Sequence, residues 1–298
     1  MKRHEKFVLE AKKIIRKVLN IDIPTTDVSF ANYANPPIPE GYKHICGKWN
    51  NGYVIERCSD GSQFVWVPAG SWNYIKKHRG ISVIKRFKDS YSLIKYHYTT
   101  SPTGKLEHQL KSVKKYGGFY ISRYNISKNE KTGKPQSIKG VMPWVNINLL
   151  EAEKVASTIE DNGLVQSHIT FDVEYDLVLE WFIKSHARTD SEIKENSANW
   201  GYYYYYNNYN NKYEVAETGS REEWCTNNIY DLSGNVRELT YIAEENSDCY
   251  RLTNAVTAIR GCDFSDIYRK GNSVARRGYP GDTYADDRTG FRAVLCIR

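Results

Sequence analysis

No apolar run in this sequence approaches the ~18 residues of a membrane-spanning helix, so no segment reads as a span. Cysteine is present but unorganised: six residues, with no C-x-x-C pair and no zinc spacing. From Asp263 to Thr289 there is none at all, which excludes thiolate chemistry and soft-metal binding within that stretch. The seven histidines (His4, His44, His78, His97, His108, His168 and His186) are scattered, without H-x-x-x-H-x-E spacing. Net positive charge is also scarce outside one terminus. Of the formal +7, residues 1–20 hold seven Lys/Arg against two Glu, leaving only +2 for the rest. A broad phosphate-binding face, and hence a nucleic-acid partner, is not expected.

What the chain has in abundance is tyrosine, 24 of 298 residues. A chain of this length can bury a sizeable core, and much of its packing must come from rings whose hydroxyls need polar partners. Phe7, Ala11, Ile14, Ile15 and Val18 recur at helical spacing, which predicts a basic amphipathic helix over 1–20. Such a helix packs on the domain, self-associates or touches an anionic surface, and it is the candidate dock to a larger assembly. Glu10, Lys12 and Lys13 interrupt any signal-peptide core, so the expectation is a product made in the cytoplasm without that signal. Pro24, Pro36, Pro37 and Pro39 mark residues 21–41 as an extended linker.

From residue 42 onward the pattern turns to short strands, at 44–49, 53–57 and 63–68, separated by Asn-Gly and Asp-Gly turn signals. Cys46 and Cys58 flank the first turn. They either pair across it or remain two half-buried thiols, the expectation in a reducing compartment. Residues 73–116 are polar, aromatic and irregular, and read as an insertion. Helices are expected over 151–158 and within 168–184, the latter capped by Thr170 with Glu174 in its first turn.

Five pieces in order carry a resemblance: F-V-W-V-P-A-G-S (64–71), G-G-F-Y-I-S-R-Y-N-I-S (117–127), H-I-T-F-D-V-E-Y-D-L-V-L-E-W-F-I-K (168–184), Y-D-L-S-G-N-V-R-E-L-T (230–240), and Arg260-Gly261 followed by Gly290-Phe291-Arg292. Together they resemble the formylglycine-generating enzyme (sulfatase-modifying factor) family over about residues 42–298. The resemblance implies one domain there, of α+β class. Its fold would be C-type-lectin-like, with small twisted antiparallel sheets, two helices and much irregular loop.

The family's oxidase binds copper(I) through two cysteines between the R-G-G-S and G-F-R motifs. Here Cys262 stands at the second Gly of the first motif, Cys296 lies beyond the second, and none lies between. Formylglycine synthesis is therefore not expected, and no cofactor is required. An iron site like that of the ergothioneine-pathway sulfoxide synthase would need a histidine cluster that is missing. The resemblance also implies a structural calcium ion held through Asn235 and Glu238, with Asp231 nearby. The alternative for these residues is a tight turn at Asn235 and a Glu238–arginine pair. Arg237 and Leu239 replace the two tryptophans usual in that motif.

Between Arg260 and Gly290 the chain offers Asp, Tyr, Gly, Ser and Arg, the mixture of adaptable contact loops. This stretch is similar to the hypervariable region of variable proteins from diversity-generating retroelements in phages, prophages and bacteria. An Asn codon randomised at its adenines cannot yield Glu, Gln, Lys, Trp or Met, and residues 262–289 contain one such residue, Lys270. The expected contact residues are Asp263, Phe264, Asp266, Tyr268, Tyr279, Asp282, Tyr284 and Asp286. Val274 and Ala275 are expected to face inward. The expected activity is non-enzymatic binding of a protein or glycan on a cell surface, by a phage or prophage product that is a candidate tail component. The alternatives are an undiversified binding module and a copper or iron oxidase of the same superfamily. G-Y-Y-Y-Y-Y-N-N-Y-N-N (201–211) is either a second contact loop or a covering loop.

Overall fold

The computed structural model describes residues 34–69, 103–207, 213–241, 257–266, 272–278 and 284–298. The expected N-terminal helix, most of the linker, and Tyr268, Tyr279 and Asp282 lie outside the described residues. No helix among those described is long and apolar enough to cross a membrane.

Six strands form the larger sheet: β1 (Tyr42–Cys46), β2 (Val54–Arg57), β3 (Gln63–Pro68), β4 (Gly118–Ser122), β7 (Val165–Ile169) and β14 (Ala293–Ile297). Their order is β1-β2-β3-β4-β14-β7, antiparallel throughout. β14 thus lies inside the sheet, between β4 and β7. β3 and β14 read as unbroken apolar runs because both faces are covered, with Phe64, Val65, Trp66, Val67, Val294 and Leu295 fully buried. Between these strands run β5 (Ser127–Lys128) and β6 (Pro135–Gln136), a two-stranded pair. β1 and β2 meet through a turn whose Gly52 has φ +102°, and a Cβ there would meet the Asn227 carbonyl at 2.2 Å. Only glycine fits that approach. Cys46 and Cys58 are free thiols.

α1 (Thr103–Tyr116) corrects the expectation of an irregular insertion through residue 116. Leu106, Gln109 and Val113 fall on one helical face and are fully buried. The lysines and buried glutamine between the apolar positions mask that stripe in the sequence. α2 (Leu149–Ala156) begins two residues earlier than expected, at a capping box in which Asn148 accepts from Glu151 N–H and Glu151 accepts from Asn148 N–H. α3 (Asp172–Lys184) starts after Phe171 rather than at Thr170. Glu174 accepts the Phe171 N–H at 2.8 Å, whereas the Thr170 hydroxyl donates to the Arg292 carbonyl. Thr170 ties the helix entry to the C-terminal strand and leaves the cap to Glu174. A short helix, α4 (Asp190–Lys194), follows.

After the β8–β9 pair (Cys225–Thr226, Ile229–Tyr230), the second sheet comprises β10 (Arg237–Tyr241), β11 (Thr257–Arg260), β12 (Arg277–Gly278) and β13 (Thr289–Phe291), in the order β12-β11-β10-β13. β10 and β13 run parallel, with Glu238 opposite Gly290 and Leu239 opposite Phe291. Leu239 and Phe291 are fully buried and join this sheet to the main core. Glu238 and Arg292 form a buried pair at 2.7 Å; the same guanidinium donates to the carbonyls of Ser122, Arg123 and Tyr230, and Asn125 donates to the Glu238 carboxylate. Guanidinium supplies a planar fork of donors, which lysine does not. The last residue of G-F-R therefore locks three segments together. This is the small-sheet α+β architecture expected from the sequence.

Candidate ligand-binding surface

The site is assembled by the turn that precedes β10. Gly234 has φ +77° and lies so close to Tyr202 that a Cβ would meet its carbonyl oxygen at 2.1 Å. Asn235 follows in the left-handed region, at φ +59°, where Asn is among the few non-glycine residues tolerated. From this conformation it binds three separate segments. Its N–H donates to the Tyr202 carbonyl at 3.0 Å, and its carbonyl accepts the Phe264 N–H at 3.0 Å. Its side-chain amide pairs with the backbone of Ala216, accepting the N–H at 2.9 Å and donating to the carbonyl at 3.0 Å. All of this is buried.

Two residues on, Arg237 holds the segment that follows β11. Its guanidinium pairs with Asp263 and reaches Asp266 at 3.5 Å, and its backbone N–H donates to the Arg288 carbonyl at 2.9 Å. Burial tends to lower the Arg237 pKa, but Asp263, Asp266, Tyr284 and Asp286 around it raise it on balance. One side chain thus faces both described ends of the 263–287 stretch. Within the first end, Asp263 accepts from the N–H and hydroxyl of Ser265, and the Asp263 N–H donates to Asp266 at 3.0 Å. Within the second, the Tyr284 hydroxyl donates to Asp286 at 2.6 Å, and Asp286 also accepts the Arg288 N–H. Burial pushes the Asp286 carboxyl upward, but hydrogen bonds from Thr289, Tyr284 and Arg288 outweigh it and hold it below the usual value. Arg288 joins the two ends by donating to the Ser265 hydroxyl at 2.9 Å.

The expected contact residues divide accordingly. Asp263 is 0% exposed and Phe264 4%, so both serve as anchors beneath the surface. Asp266, Tyr284 and Asp286 are half-buried. Val274 is fully buried and Ala275 partly so, as expected. The sequence reading missed Ser265, Arg237 and Arg288. Arg237 carried a signal, because an arginine at an expected tryptophan position calls for an acidic partner, and two aspartates lie downstream.

Of the residues expected to hold calcium, Asn235 has its oxygen engaged by the Ala216 N–H, and Glu238 Oε1 faces Arg292. Glu238 Oε2, Asp231 Oδ1 and Asn125 Oδ1 are buried oxygens without a hydrogen bond. Calcium takes about six to eight oxygens, and among the described residues no three His, Cys, Asp or Glu converge as a metal group. The Asn235 oxygen has one of its two lone pairs taken by Ala216, and Glu238 retains one unengaged oxygen. Burial pushes the Cys262 thiol up to about 12, and that of Cys296 likewise to about 12. Thiols held protonated at neutral pH are poor nucleophiles.

The chain is an α+β protein of mixed sheets, helices and much irregular loop. It is similar to the Treponema denticola variable protein 1 (14% identity over 61% of this chain and 85% of that one, TM-score 0.40). It is also similar to PvdO from Pseudomonas aeruginosa (15% identity, 82% and 98% coverage, TM-score 0.46) and to CarF (12%, 61% and 87%, TM-score 0.39). No protein-family model and no curated protein matches the chain.

Proposed function

We propose that this chain is a non-enzymatic recognition protein whose contact surface is centred on Asp266, Tyr284, Asp286 and Arg288. The observation that carries the reading is Arg237, which ties the two described ends of the 263–287 stretch to one rigid strand and leaves neighbouring polar side chains partly open. Pre-organisation of this kind lowers the ordering cost of binding. The mixture of Tyr, Asp, Ser and Arg supplies amphipathic area and adaptable hydrogen bonds. The absence of cysteine from 263–289 argues against the oxidase alternative.

The sequence resemblance further favours a phage or prophage product that binds a protein or glycan on a cell surface, docked to a larger assembly through residues 1–20. An imperfect repeat of the coding DNA for 262–289, differing mainly at template adenines, establishes diversification; its absence leaves a fixed binder. The binding reading itself is tested by replacing several open side chains of the 263–287 stretch together. Loss of cell-surface binding with cooperative melting is expected. Retained binding, or formylglycine formation on incubation with copper and a sulfatase-motif peptide, overturns it.

A further inference from the structure

Building on the recognition reading, we infer that the surface extends across Tyr204, Tyr205 and Tyr213 and that its ligand is an uncharged carbohydrate. Residues 201–204 of the tyrosine-rich segment are held to the site. Gly201 packs so closely on Ser233 that a Cβ would meet the Ser233 carbonyl at 2.2 Å. Asn235 binds the Tyr202 carbonyl, and the Tyr204 N–H donates to the Phe264 carbonyl at 2.8 Å.

From there a continuous series of rings leads outward. Trp224 stacks on Tyr202 at 5.0 Å, and Tyr202 on Phe264 at 6.1 Å with planes 13° apart. Tyr213 meets Phe264 edge to face at 5.2 Å. Tyr204, Tyr205 and Tyr213 then brace one another at 5.1–5.9 Å, with planes 67–89° apart. Each edge fixes a neighbouring face, so the group is rigid. Its outermost members, Tyr205 and Tyr213, remain 57% and 54% exposed.

The ligand class follows from what surrounds these rings. Phe264 is two residues from Asp266, which links the ring series to the segment held by Arg237 and Arg288. A pyranose presents a C–H face that stacks on an aromatic ring and vicinal hydroxyls that pair with planar carboxylate and guanidinium groups. Residues 262–289 carry five Asp and five Lys/Arg, a balance that gives no attraction for a phosphate backbone. Among the described residues, the exposed members of this ring group are Tyr205 and Tyr213, whose ring faces suit the C–H face of a pyranose.

The test uses the full chain against an array of neutral oligosaccharides of hexose and N-acetylhexosamine types. Binding to at least one is expected, and Tyr205→Ala/Tyr213→Ala should weaken it by roughly tenfold or more with the melting midpoint unchanged. Tyr205→Phe/Tyr213→Phe keeps the rings and should retain most of the affinity. Failure to bind any neutral glycan, or indifference to the alanine changes, overturns the inference. If the chain instead binds a polypeptide and Asp266→Ala or Arg288→Ala abolishes that binding, the carbohydrate class is wrong while the recognition reading stands. Binding to either class that ignores Asp266 and Arg288 overturns the recognition reading.

Discussion

Arg237 and Asp263 form an ion pair that joins a strand of the scaffold to the first residues of the contact segment. Asp263 is fully buried, while Arg237 keeps 19% of its side chain accessible. Burial pushes the Asp263 carboxyl above its usual value, helped by Asp266, while Ser265 and Arg237 pull it down. Removing the arginine therefore strands a carboxylate in the interior. Arg237→Ala should destabilise the fold by about 3 kcal/mol, the lower end for breaking a buried pair, read from the urea midpoint. Arg237→Ala/Asp263→Asn should recover part of that loss.

Asn235 combines a left-handed backbone with two side-chain hydrogen bonds to Ala216. Asn235→Gly relieves the backbone but forfeits the bonds, and should cost about 2 kcal/mol. Asn235→Ala forfeits the bonds and adds strain of about 1 kcal/mol or more, so it should melt lower than the glycine variant. The reverse order would remove Asn235 from its place as the node of the site.

Arg292 meets Glu238 and three carbonyls in full burial. Lysine cannot satisfy that set from one ammonium. Arg292→Lys should lower stability by about 2–4 kcal/mol through unsatisfied buried groups, measured by chemical denaturation.

Asp231 and Glu238 are raised above their ordinary values, in each case first by burial. Each group in the folded state holds its proton to a higher pH than in the unfolded chain, where carboxyls titrate near about pH 4. Their contribution is fully present below that pH and is lost as pH rises through the folded values. Asp231→Asn removes one such group while keeping an acceptor for Gly219 N–H. The stability of wild type relative to this variant should fall as pH rises above about 4. A difference that grows with pH would contradict the assignment.

Much of the architecture was legible because its pieces carry local signals. The β3 run, the Asn-Gly hairpin, the G-F-R strand and the two core helices each have period, turn residue or cap in the sequence. Helix α1 was not legible, because a buried glutamine and interspersed lysines dilute its apolar stripe until it packs on the sheet. The Thr170 cap was misplaced for a tertiary reason: the hydroxyl finds the Arg292 carbonyl, 122 residues away in sequence. At the site, the segment containing the contact residues was visible in composition. Which of them face outward was not, because Asp263 and Phe264 are drawn inward by Arg237 and the Tyr202 ring. Those partners come from other segments, and composition does not encode that geometry.

The most direct measurement compares wild type with Asp266→Ala/Tyr284→Ala/Arg288→Ala for affinity toward the cell surface that wild type binds, alongside the melting midpoint. A loss of roughly a hundredfold or more in affinity with cooperative melting near the wild-type midpoint is the predicted result. Unchanged affinity in a folded triple variant would contradict the placement of the recognition surface.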